Sequence, residues 1–201
     1  MFMRNLISVV IMEVSAHAIA LKKVQGINFE LAIFTNCTQD HLDFFGTMQR
    51  YRDTKSGFFC QEYVKNAIVN IDDEYATRVI DACECPVITF SAEKNEADYT
   101  AKEIKFLPAS VNYELVTNNN IGRVKISTPG IFSVYNSMAA GIAGISIGLD
   151  FHSVVTSLCE VPGVKGRVEL VPCDKDFSII IDYAHTPDEI ENVCLMFNKI
   201  K

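Results

Sequence analysis

From residue 31 to residue 90 the chain alternates short β-branched and aromatic runs with stretches of helix-forming length. The runs are residues 31–35, 67–71 and 87–90, and an earlier one covers 6–14. Continuous apolar runs this short read as strands buried on both faces. Strands separated by helices build an open, mostly parallel sheet with helices packed on it. Ser15 is placed to cap a helix over 16–24 closed by Gly26, and Thr47 to open another reaching Phe59. Asp72 or Asp73 is expected to cap a third helix that ends at Ala82.

The middle changes character. Residues 101–106, 111–117 and 123–127 alternate weakly around Pro108 and the Asn118-to-Gly122 turn, which predicts a small antiparallel meander. A small-residue-rich apolar helix follows over 133–147, stopped by Gly148, and Asp150 caps the next over 151–160. Residues 178–182 read as a last buried strand. Thr186-Pro187-Asp188-Glu189 then places an N-cap Thr, Pro at the first helical position and Glu in capping-box register.

Charge and cysteine usage exclude several classes. Twenty-five acidic residues against 18 basic ones give a formal charge of −7 with no basic block, which argues against nucleic-acid or anionic-membrane partners. Seven cysteines form no CxxC pair and have no His at finger spacing, so reduced thiols are expected; the closest pair, Cys83-Glu84-Cys85, is a weak metal signal. The apolar start is too short for a signal peptide and ends in Glu13, and no run reaches the ~20 apolar residues of a bilayer span. A cytoplasmic protein is expected.

Polar clusters stand where strands end, and in open α/β sheets ligands bind at the carboxyl ends of strands. They are Met12-Glu13-Val14-Ser15-Ala16-His17, the loop from Thr35 to Asp43, the stretch from Gly130 to Asn136, and Asp182-Tyr183-Ala184-His185. A carboxylate at a strand tip suits Mg²⁺, which takes hard oxygen ligands. Each cluster also has a plain structural reading: Glu13 as a paired buried acid, Ser15 and Asn136 as caps, His41 as a hydrogen-bonded structural histidine. Their joint presence, in this order, outweighs those readings.

The blocks MEVSAHAIAL, FTNCTQDHLDFFGTMQRY, GIFSVYNSMAA, GRVE and DYAHTPDEIENV together resemble the Mur ligase family, of the MurE type: the UDP-N-acetylmuramoyl-dipeptide ligases of peptidoglycan synthesis. Folylpolyglutamate and cyanophycin synthetases share the chemistry but match these blocks less closely. The resemblance implies that residues 1–186 form the central ATP-binding domain and that 187–201 begin the next domain. It implies Mg²⁺ held by Glu13 and by His41, with Lys55 as a carbamylated lysine supporting the second ion, and His41 and Lys55 as the catalytic pair. Ser15, Thr35, Asn36 and Lys23 are implied to contact the UDP-muramoyl peptide, Asn136 the adenine, Arg167 the nucleotide and Asp182 the ribose of ATP. An incoming amino acid is the remaining partner.

Some positions depart from that pattern. Ala16 stands for a second Ser, Lys23 for Arg and Phe45 for His. The dipeptide Gly-Lys occurs nowhere, so the Gly-rich phosphate loop of the family is not among these residues. The expectation is therefore a fragment without activity of its own, or a non-catalytic nucleotide-binding or interaction module. A sheet short of one member exposes a long apolar strand edge, from which self-association is expected.

Overall fold

The computed structural model describes residues 8–60, 63–185 and 187–199, apart from the side chains of Asp188 and Lys199. One six-stranded sheet runs through it in the order β1-β2-β3-β4-β5-β6. Strands β1 (Ala32–Phe34), β2 (Ala67–Asn70), β3 (Val87–Ser91) and β4 (Tyr99–Leu107) are parallel neighbours, and β5 (Ser110–Val116) and β6 (Ile121–Ile126) continue it antiparallel. The expected meander is thus no separate unit. Its first strand pairs with β3 at Phe90–Tyr99 and Ser91–Thr100. The cause lies in the return loop, where the Asp98 carboxylate accepts from the Thr89 amide at 2.8 Å and its hydroxyl at 2.7 Å, laying β4 alongside β3.

Helices cover both faces. Successive side chains of a strand point to opposite faces, and β2, buried throughout, divides accordingly. Ile68 joins Phe90, Leu115, Val134, Met138 and Ile142, beneath α5 (Ile131–Ser146) and α6 (Phe151–Glu160). Ala67 and Val69 join Phe34, Phe45, Tyr51, Phe59 and Val79, on the side of α1 (Ala16–Ala20), α2 (Leu42–Phe45), α3 (Met48–Gly57) and α4 (Ala76–Ala82). On the α5 side the buried Tyr113 hydroxyl is satisfied by Ser137 Oγ at 2.9 Å. Gly122 allows α6 to approach β6, since a Cβ there would stand 2.6 Å from Val155 Cγ2. Strands β7 (Glu169–Val171) and β8 (Ile179–Ile181) form a separate antiparallel pair, and α7 (Pro187–Lys199) buries Met196 close to Gly130.

The structure corrects several expectations. Residues 8–14 form no strand: Val9, Val10 and Ile11 are exposed, Ile11 at 95%, while residues 6 and 7 lie outside the described part. An apolar run becomes a strand only where another strand offers hydrogen bonds, and among the described residues β1 pairs with β2 alone. That free edge is also short rather than long, because Asn70 Nδ2 captures the Thr35 carbonyl at 2.9 Å and ends β1 at Phe34. Residues 178–182 are not buried. Ile179 and Ile181 of β8 are 42% and 50% exposed, since only β7 pairs with them.

Helix starts were mixed. Thr47 and Asp150 cap as expected, accepting from Arg50 N at 3.3 Å and Ser153 N at 2.9 Å. Asp72 and Asp73 are not the N-cap of α4, which is Tyr75: Asp72 is bonded to the loop after β3, and Asp73 reaches only the Tyr75 amide at this helix start, its other oxygen taking the Cys37 amide. The first helix ends at Ala20 rather than running to 24, where Lys22 takes a left-handed φ of 54°. The N-cap expected at Thr186 lies outside the described residues, though Glu189 does reach back to accept from the His185 amide at 2.9 Å. No described helix is long and apolar enough to cross a membrane, and all seven cysteines are free.

Met138 is fully buried between α5 and the sheet. Met138→Ala is expected to lower unfolding free energy by about 2–5 kcal/mol. Ile11→Ser, on the exposed segment, is expected to stay within about 0.5 kcal/mol. Denaturant titration of both variants checks the pair.

Candidate functional site

The carboxyl ends of β1, β2 and β3 carry the densest polar network in the described structure. Asn70, the last residue of β2, is buried; its side chain holds the Thr35 carbonyl and accepts from the Asp72 amide at 3.1 Å. Asp73 accepts from the Cys37 amide at 2.8 Å with one oxygen and from the Tyr75 amide at 2.8 Å with the other. The stretch Thr35–Asn36–Cys37 is therefore clamped at both ends from β2. Between the clamps the Asn36 carbonyl accepts from Lys55 Nζ at 3.0 Å, and Asn36 Oδ1 lies 3.4 Å from the Thr35 hydroxyl.

Lys55 stands on α3, one turn after Tyr51, and its ammonium lies 5.1 Å from that ring's centroid. His41 has φ 53° and makes the turn into α2. Asp40 stabilises that turn, accepting from the His41 amide at 2.7 Å and standing 3.2 Å from its Nε2. Both side chains of this pair are over a third exposed, so solvent weakens it. His17 of α1 meets His41 edge-on at 4.5 Å between ring centroids and leans on Phe44 at 4.4 Å. Burial raises the Cys37 thiol pKa beside this cluster, against the lowering effect of the Lys55 charge.

Of the residues expected on this half, Thr35, Asn36 and Lys55 come together, and His41 joins them through Tyr51, with 6.4 Å between ring centroids. Ser15 is a helix cap, accepting from the Ala18 amide at 3.2 Å. Glu13 and Lys23 are exposed and, among the described residues, form no side-chain hydrogen bond or ion pair. No group of three His, Cys, Asp or Glu among the described residues could hold a metal ion. A protonated lysine has no lone pair to offer a cation. The hard oxygens that would suit Mg²⁺ beside His41 are those of the Asp40 carboxylate.

The residues expected to hold the nucleotide are spread out. Asn136 is exposed on α5, next to Tyr135, whose hydroxyl donates to Asp72 Oδ2 at 2.9 Å. Arg167 lies with its guanidinium 4.8 Å from the Tyr183 ring centroid. It also lines a cleft of about 360 Å³ together with Ser127, Thr128 and Lys165; Asn136 and Asp182 do not line it. Asp182 uses both oxygens on backbone, accepting from Val168 N at 2.8 Å and Ala184 N at 2.7 Å, so it pins the end of β8 to the start of β7.

The polar organisers Asn70, Asp72 and Asp73, and the site neighbours His17, Tyr51 and Tyr135, were not foreseen as site residues. The signal was present: Asn70-Ile71-Asp72-Asp73 ends the fully buried strand β2 and runs on from it, at the end where ligands bind.

The sequence profile described as the Mur ligase middle domain matches residues 2–144. A protein of Bacillus velezensis named UDP-N-acetylmuramoyl-L-alanyl-D-glutamate--2,6-diaminopimelate ligase is 42% identical over 190 residues, covering 91% of this chain and 39% of its own length. One of the same name from Synechocystis is 41% identical over 188 residues, covering 90% and 37%. A solved structure of a ligase so named superposes with a TM-score of 0.79 at 29% identity, over 92% of this chain and 39% of that one. MurF from Acinetobacter baumannii, at 24% identity and a TM-score of 0.75 over 84% and 37%, shares the fold. The chain thus spans well under half the length of these relatives.

Removing the Asp73 carboxylate leaves the Cys37 amide without its acceptor. Asp73→Ala is expected to cost about 1–3 kcal/mol and to speed amide hydrogen exchange at Cys37 and Tyr75 while leaving β5 protected. Native-state exchange read residue by residue checks this.

Proposed function

The chain belongs to the Mur ligase family through its middle domain, and from that premise we propose that it is the ATP-handling part of a ligase that adds an amino acid to UDP-N-acetylmuramoyl dipeptide in peptidoglycan synthesis. The observation that carries the reading is the gathering of Thr35, Asn36, His41 and Lys55 at the carboxyl end of β1. The amino acid is the one its relatives are named for, 2,6-diaminopimelate. Residues 1–186 are the middle domain and α7 opens the next one. The parent enzyme works in the cytoplasm.

The reaction joins groups that repel. A carboxylate of the muramoyl peptide attacks the γ-phosphorus of ATP, giving an acyl phosphate and ADP. The amine of the amino acid then displaces phosphate and forms the amide. Catalysis of such a step is mainly positioning and charge neutralisation. Thr35 and Asn36, fixed by Asn70 and Asp73, hold the muramoyl substrate, and Ser15 and Lys23 add contacts to it. Asn136 contacts the adenine, Arg167 the nucleotide and Asp182 the ribose. Glu13, His41 and a carbamylated Lys55 would hold Mg²⁺, which supplies positive charge to the phosphates when bound.

A second reading applies to these 201 residues taken alone: nucleotide binding without turnover. No Gly-Lys dipeptide occurs among them, so no such loop cradles the β- and γ-phosphates. Calorimetric titration is expected to give weak binding of Mg-ADP and of Mg-ATP with no preference for ATP. Tight, ATP-selective binding would overturn that reading.

Self-association belongs to the same picture. Among the described residues β1 offers an unpaired edge, and Val9, Val10 and Ile11 are exposed apolar residues. Sedimentation is expected to show a concentration-dependent dimer; a monomer at every concentration would remove this part of the proposal.

A further inference from the structure

The Asp72 carboxylate accepts from four donors, three on consecutive residues at the end of β3 and one on α5. Oδ1 accepts from the Ser91 hydroxyl at 2.5 Å. Oδ2 accepts from the Ala92 amide at 2.7 Å, the Glu93 amide at 3.2 Å and the Tyr135 hydroxyl at 2.9 Å. Among the described residues it forms no ion pair, while the Lys94 ammonium donates to the neighbouring Ile71 carbonyl. Fully buried Ser91 extends the network by accepting from the Glu93 and Lys94 amides at 3.0 and 2.5 Å. Desolvation, and then the hydrogen bond to Asp72, push the Tyr135 phenol pKa up, so the proton stays on Tyr135 and the donor direction is settled.

The Tyr135 bond differs from the others. The Ser91, Ala92 and Glu93 bonds tie β2 to the loop after β3, whereas Tyr135 ties β2 to α5, 63 residues on. Helix α5 starts at Gly130 without any side-chain cap. Its first turns are held instead by the Ser133 hydroxyl on the Pro129 carbonyl, 3.2 Å, and by Tyr135 on Asp72. The next residue is the exposed Asn136.

We propose that Asp72 is a positioning residue for the nucleotide, acting through Tyr135 to set where Asn136 is presented to the base. This rests on the reading of Asn136 as the adenine contact. Adjacent carboxylates at one strand end then serve the two halves of the site: Asp73 holds the Thr35–Cys37 stretch and Asp72 holds the nucleotide helix.

The test is a double-mutant cycle on this chain, with ADP and GDP as titrants. Tyr135→Phe removes one donor and leaves three on Asp72, so the fold persists and the melting temperature is expected to shift by only a few degrees. ADP affinity is expected to fall about tenfold, with the preference over GDP lost. In an Asn136→Ala background the same change is expected to have no further effect, since the two act as a unit. Equal losses in both backgrounds, or a lower melting temperature with ADP affinity intact, would overturn the proposal. If the unsubstituted chain binds no ADP, the nucleotide-binding reading itself fails and takes the proposal with it.

Discussion

A strand buried along its whole length must end somewhere, and at the carboxyl end of β2 the transition from core to site is made by the hydrogen bonds of Asn70, Asp72 and Asp73. Polar groups leaving a core cost free energy unless they find partners. Here the partners are backbone groups of other loops: the Thr35 carbonyl, the Cys37 amide and the Ala92 and Glu93 amides. The bonds that satisfy the end of the strand are therefore the ones that shape the loops around it. Removing any one of them releases a site loop before it exposes much apolar core.

The two faces of the sheet contribute differently. On one face α1, α2 and α3 bring His17, His41, Tyr51 and Lys55 together over an aromatic floor that includes Phe44 and Phe45. On the other, α5 lies on the sheet and is tied to it at Tyr135. Within a net charge of −7, several cationic side chains still stand away from carboxylates. Lys55 sits against a carbonyl and a ring rather than a carboxylate, and Lys165 and Arg167 line the cleft near the start of α5. Local geometry, more than net charge, governs a short-range site in screened solution.

Part of this was legible in advance for local reasons. Thr47 and Asp150 cap their helices because a short oxygen side chain next to free amides finds them without help from the rest of the fold. β2 and β3 were legible because continuous β-branched runs fit a strand covered on both sides. The same rule failed for residues 8–14 and for β8, where the apolar pattern is as strong but the described residues leave these side chains exposed. Asp72 and Asp73 were legible as polar but misassigned, since a carboxylate after a strand can cap a helix locally or reach across the sheet, and the sequence favours neither.

The sequence by itself determined the family, the alternation of strand and helix, and the set of residue types available for chemistry, because these depend on periodicity and on blocks of neighbouring residues. Tertiary structure alone decided which of those residues meet. His17 reaches His41 across 24 positions, Cys37 reaches Asp73 across 36 and Tyr135 reaches Asp72 across 63. It also decided that Asp182 serves the backbone while Arg167 faces a cleft. The physical reason is that hydrogen bonds and ring contacts act over a few ångströms in space. Only the packing of helices on a particular sheet register brings distant positions within that reach.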